Sequence, residues 1–192
     1  MDRLSVLYWS IIALLISSSL FFGMNAEQQR RSVQRGRGEI ANGDLVRVKQ
    51  VVDGDTVLAA KEGEEPVTIR LLGIKSFNAK VEKDSGTPFG KAAVEALQRS
   101  LADRPIRVLL NATPKDRLGR YLATLFADDQ DIGLSLVRQG LVIVYTVYPF
   151  PSMQLYLQEQ EQTREGRRGL WANAAASERA LAMIKEWQEQ AP

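Results

Sequence analysis

Two carboxylates flank a glycine in Val52-Asp53-Gly54-Asp55-Thr56-Val57, and an arginine interrupts the apolar run Ile69-Arg70-Leu71-Leu72-Gly73-Ile74. Carboxylates set that close together can hold a hard, oxygen-bound cation such as Ca²⁺. An arginine on an apolar strand can offer a planar fork of donors to a phosphate. Together these groups make the frame of a calcium-dependent phosphodiesterase site. A plainer account gives them structural work only. The two aspartates then cap the turn around Gly54, and Arg70 closes a salt bridge at the end of a barrel. The next four residues, Lys75, Ser76, Phe77 and Asn78, add an ammonium and an amide but no carboxylate.

Composition narrows the chemistry further. The chain of 192 residues has no histidine and no cysteine. Imidazole proton shuttling and thiolate chemistry are therefore excluded, and any metal would have to be held by oxygen. The formal net charge is +2, and residues 41–172 carry 18 basic and 17 acidic side chains. A free polyanion binder is usually more basic than that.

The elements that must position these groups can be read from hydrophobic pattern. Residues 45–52 alternate and are rich in valine, which predicts a strand. Further strands are predicted over 56–60, 67–74, 106–110 and 121–126. Residues 62–66 and 85–88 read as loops. Apolar spacing predicts helices over 91–101, 133–139 and 153–167, with Gly140 and Gly169 as stops. Five short strands with helices interspersed late suggest a small closed barrel of the OB type. A last helix is predicted over 177–190, with Leu181, Ile184 and Trp187 on one face. Such a stripe is docking surface, either for its own domain or for a partner.

The amino-terminal segment is of a different kind. Residues 4–26 contain no charged side chain. About 20 such residues in a helix cross a bilayer core of roughly 30 Å. Tyr8 and Trp9 stand near one end, where interfacial aromatics are common, and Arg30, Arg31, Arg35 and Arg37 follow the run. The positive-inside rule then puts the rest of the chain on the cytoplasmic face. We expect a single-pass membrane anchor over 1–27 and a basic linker over 28–43. A cleaved signal, with an exported or periplasmic domain, is the alternative.

The domain itself resembles the staphylococcal nuclease, or thermonuclease-like, family. The runs that carry the resemblance lie between residues 44 and 172. They are Val52-Asp53-Gly54-Asp55-Thr56-Val57, Ile69-Arg70-Leu71-Leu72, Asp116-Arg117-Leu118-Gly119-Arg120, Leu136-Val137-Arg138-Gln139-Gly140-Leu141 and Gly169-Leu170-Trp171. The resemblance implies an α+β domain over 44–172, a five-stranded OB-type barrel capped by three helices. A helical extension would follow over 173–192. It also implies a Ca²⁺ site with Asp55 as a ligand and Thr56 giving a backbone carbonyl. Arg70 and Arg120 would be the two phosphate-binding arginines.

The departures from the family pattern fall on the chemistry. Lys75 stands where a second metal-binding aspartate belongs, and Asn78 stands where the glutamate base belongs. Phe77 replaces a proline, Leu118 replaces a tyrosine, and Thr146 falls where a nucleotide-contacting tyrosine is common. An ammonium repels Ca²⁺, and an amide takes no proton at useful pH. We therefore expect a catalytically inactive binding or structural module with no cofactor, an accessory subunit of a membrane assembly. Its protein partner would be met through the anchor, the barrel surface or the last helix. Nucleic acid is the less favoured partner. We also expect an Asp55–Lys75 ion pair, direct or bridged by water, in the metal's place, with Arg70 and Arg120 competing for Asp55 or binding a stray anion. The alternative is a membrane-anchored Ca²⁺-dependent nuclease of DNA or RNA, using a rearranged site with Glu82 or Asp84.

Overall fold

The computed structural model describes residues 38–190. The expected anchor over 1–27, and the linker as far as residue 37, lie outside the described residues. The strands are β1 (Leu45–Asp53), β2 (Thr56–Ala60), β3 (Val67–Leu71), β4 (Ile74–Ser76), β5 (Ile106–Lys115), β6 (Tyr121–Ala127), β7 (Gln130–Asp131) and β8 (Val142–Val144). The helices are α1 (Thr87–Leu101), α2 (Ile132–Arg138), α3 (Met153–Glu165) and α4 (Ala174–Gln190), with a 3₁₀ turn over Gly169–Ala172 before the last. No helix among the described residues is long and apolar enough to cross a membrane.

Strand pairing runs β3-β2-β1-β5-β6-β7, and β3 also pairs in parallel with β6. The pairings among β1, β2, β3, β6 and β5 therefore form a closed cycle. Register shifts in β1, between Val48 and Gln50 and between Val51 and Asp53, let that strand bend from one neighbour to the other. Val57, Ala59, Ile69, Ile106, Val108, Ala123 and Leu125 fill the interior. α1 covers it with Ala93, Ala96, Leu97 and Leu101, a stripe at helical spacing.

Three expectations change. The helix predicted from residue 91 begins at Thr87, because Pro88 occupies a first-turn position where its missing N–H costs nothing. The linker expected up to residue 43 ends sooner. Ile40 is buried in the core and its N–H meets the Tyr121 hydroxyl at 3.4 Å. The strand predicted over 67–74 breaks at Leu72-Gly73, so that β4 leaves the cycle and pairs instead with β8.

Gly73 explains that break. Its φ of +77° lies in the left-handed region. A Cβ there would also sit 2.3 Å from Cζ of Phe150. Gly73→Ala should cost about 2 kcal/mol, most of it backbone strain. Urea denaturation measures this, and a loss of only a few tenths would contradict it.

Candidate functional site

The break at Gly73 places the site. Arg70 sits near the end of β3, opposite Thr56 of β2. β4 then carries Lys75 past the Asp53-Gly54-Asp55 turn, and β8 delivers Tyr145, whose N–H donates to the Gly73 carbonyl at 2.9 Å. Gly54 is the close-approach residue of the turn, since a Cβ there would lie 2.7 Å from the Cβ atoms of both Ala93 and Ser76.

Asp55 is the centre of the cluster and is buried. Its Oδ1 faces Nη1 of Arg70 at 3.3 Å and accepts from Oγ1 of Thr56 at 3.0 Å. Its Oδ2 accepts from the Ser76 backbone N–H at 2.8 Å and faces Nζ of Lys75 at 3.4 Å. Two hydrogen bonds and two ion pairs thus meet this one carboxylate. Burial pushes the Asp55 carboxyl up, but Arg70, Lys75 and the hydrogen bonds outweigh it and hold it below its ordinary value. Asp53 goes the other way, raised by burial and then by the neighbouring Asp55 charge.

Arg70 is equally committed. Its Nη1 donates to the carbonyls of Asp55 and Leu71 at 3.2 and 2.9 Å, and its Nη2 to the Ile74 carbonyl at 2.6 Å. The side chain thus clips the break between β3 and β4 together. Burial lowers its pKa, and the Asp55 charge opposes that.

Arg120 does not compete for Asp55 as expected. Its Nε and Nη2 both reach Oδ2 of Asp116 at 2.7 Å. Asp116 Oδ1 meanwhile accepts from the N–H groups of Leu118 and Arg120, at 2.9 and 3.0 Å, a local turn that fixes the loop. Burial raises the Asp116 carboxyl, but the bonds from Arg120 and Leu118 win and lower it. Leu118 points out, 78% exposed.

A cavity of about 220 Å³ opens over these groups, lined by Arg70, Lys75, Arg120, Tyr145, Tyr148 and Trp187 among others. The two tyrosines were not anticipated. The residue singled out from sequence was Thr146, which lies between them and does not line the cavity. A second, larger cavity of about 540 Å³ holds Asn78, with Asp53, Lys75 and Asp84. Asn78 is exposed, and its Oδ1 accepts from the Lys80 N–H at 2.8 Å. Glu82 is exposed, and Asp84 Oδ1 accepts from the Gly86 N–H at 2.8 Å.

The donor set does not suit Ca²⁺. That ion takes 6–8 oxygens at about 2.3–2.6 Å. Here a guanidinium and an ammonium face the single central carboxylate, and both repel a divalent cation. Among the described residues no group of three or more acidic side chains is placed to hold a metal.

Fold and site together define an α+β domain of the thermonuclease type. The chain belongs to the family described as staphylococcal nuclease homologue, whose model matches residues 68–173. That span contains Arg70, Lys75, Asn78 and Arg120, while Asp55 and Thr56 precede it. The chain is 26% identical over 130 residues to the thermonuclease of Staphylococcus intermedius, covering 67% of this chain and 77% of that protein. It is 29% identical over 127 residues to an uncharacterized endonuclease of Haemophilus influenzae, covering 66% of each. Protein ParB of Escherichia coli is 26% identical over 145 residues, 71% of this chain and 75% of ParB.

Proposed function

We propose that this domain is a non-cleaving member of its family, kept as a binding or structural module in a membrane assembly. The observation that carries the reading is Nζ of Lys75 at 3.4 Å from Oδ2 of Asp55. An ammonium there supplies the countercharge that a cation would otherwise bring, so the folded state needs no Ca²⁺. Asn78 adds nothing that takes a proton from water, and it opens into the second cavity. The cycle of five strands supports an OB-type barrel capped by α1, α2 and α3. The apolar run over 4–26 and the four arginines after it support a single-pass anchor with the domain on the cytoplasmic face. The near-even charge favours a protein partner over free nucleic acid.

The module also has a binding surface of its own. Arg70, Lys75 and Arg120 line the smaller cavity, the first two paired with Asp55 and the third with Asp116, so their positive charge outweighs the negative, and Tyr145 and Tyr148 give it aromatic walls. A phosphate-bearing small ligand suits that combination better than a neutral one.

A fragment starting at Gln28 keeps Ile40 and tests the reading. Incubated with single-stranded DNA and RNA in millimolar Ca²⁺, it should leave both intact. Cleavage that a chelator abolishes, and that Arg120→Ala also removes, would establish the calcium-dependent nuclease instead.

A further inference from the structure

Helix α4 lies past residue 173, where the family match ends, yet it supplies part of the site. The Asn173 side chain starts it, accepting from the Ala176 N–H at 3.0 Å. Ala176 and Ala180 are fully buried, and Met183, Ile184 and Trp187 pack on the cluster formed by Phe77, Ile143, Leu170 and Trp171. Leu181, expected on the apolar face, is instead 42% exposed. The helix therefore docks on its own domain.

Its far end reaches the cations. The Trp187 ring meets Tyr145 edge to face at 4.8 Å, and the guanidinium of Arg70 lies 5.9 Å from that same Tyr145 ring. Met183 and Trp187 line the smaller cavity. Met183 and Arg179 line the larger one. Lys75 and Met183 are common to both, so the two cavities meet where α4 crosses. A nucleic-acid strand running from Arg120 over Lys75 to Asn78 would have to pass through the place that Met183 occupies.

We propose that α4 is a size-selecting wall: it admits a phosphate monoester, carried by a nucleotide or a strand end, and excludes a strand passing through. This rests on the phosphate-binding reading of the cavity. Three features favour it. At about 220 Å³ the cavity is smaller than the ~300–1,000 Å³ typical of small-molecule sites, so it holds a phosphate and little more. Trp187 adds an indole to the two tyrosines, and a base can stack there once its phosphate is seated. The near-even domain charge fails to attract a long polyanion but suffices for one phosphate.

The test uses the full chain and three probes. They are adenosine 5′-monophosphate and a single strand of about 12 nucleotides, within the ~4–16 that one OB fold covers, with and without a 5′-phosphate. The unaltered chain should bind the monophosphate and the phosphorylated strand, and the unphosphorylated strand about tenfold more weakly. Monophosphate binding without phosphorylated-strand binding assigns the site to free nucleotides; binding of both assigns it to strand ends as well. Met183→Ala, which keeps the Trp187 indole, should close the gap by strengthening the unphosphorylated strand about tenfold. An unchanged gap in a cooperatively folded variant overturns the wall. Failure of the unaltered chain to bind any probe overturns the phosphate-binding reading itself. A second measurement needs no variant. Monophosphate at about ten times its Kd should slow tryptic cleavage after Arg179 and Lys185 about tenfold, because α4 must leave for cleavage and the ligand holds it. Cleavage at an unaltered rate under saturating ligand counts against the proposal.

Discussion

Asp55→Ala should remove about 3–5 kcal/mol of folding stability, the usual cost of breaking a buried ion pair from one side. Arg70 would keep its carbonyl acceptors on Asp55, Leu71 and Ile74. It would lose the only anion within 4 Å of it among the described residues, while staying buried at 7% side-chain exposure. The Ser76 N–H and the Thr56 hydroxyl would lose an acceptor at the same time. Most small domains hold about 5–15 kcal/mol in total, so the variant should fold only marginally. Asp55→Asn should cost less, because the amide oxygen still accepts while the charge is gone. A urea midpoint for Asp55→Ala close to that of the unaltered protein would mean that the pair is not structural.

The same carboxylate sets an acid limit. Its pKa is lowered from 3.8 in the folded state, so the folded protein binds this proton less readily than the unfolded chain. Its contribution is therefore fully present above the unfolded value and is lost as pH falls through the lower folded one. Asp53, raised in the folded state, works the other way and favours folding as acid is added. The acid unfolding of Asp55→Asn should accordingly be shallower than that of the unaltered chain below about pH 4.

Strands β1, β2, β3, β5 and β6 and all four helices could be read in the sequence because their apolar periods are strong, while the short β7 and β8 could not; Arg70, Lys75 and Asp55 could, because a tight turn and a strand end bring them together. Three features were hidden. The strand over 67–74 looked continuous, since the residue that breaks it, Gly73, matters through its positive φ and the Phe150 ring, which comes from 77 residues further on. Arg120 was expected on Asp55, but Asp116, four residues away, offers an acceptor without any long-range packing. Tyr145 gave no local signal, and Trp187 gave only its place in the apolar stripe of the last helix. They meet only because β8 pairs with β4 while α4 folds back, and nothing in a periodic apolar stripe says which surface it will cover.

Replacing Lys75 tests whether its ammonium stands in for a cation. Lys75→Asp removes the ammonium that now lies 3.4 Å from Asp55 and puts a second, shorter-armed carboxylate on the strand beside it. Attraction becomes repulsion. Lys75 is 41% exposed, so solvent screens both, and the net loss in chelator should be about 1–3 kcal/mol. Adding Asn78→Glu to that variant supplies a third carboxylate near the same strand end. Two acids that repel each other are the arrangement a divalent ion relieves, and only a state that binds the ion gains from it. At about 100 times the dissociation constant, Ca²⁺ would return about 2.7 kcal/mol. For a chain of this size that is a rise of roughly 5–10 °C in Tm. The unaltered protein should melt at the same temperature in chelator and in millimolar Ca²⁺, because its central carboxylate already faces two cations. If instead the unaltered protein gains several degrees in Ca²⁺, Lys75 must swing away from Asp55 to admit the ion, and the domain has to be regarded as a metal-binding nuclease fold after all.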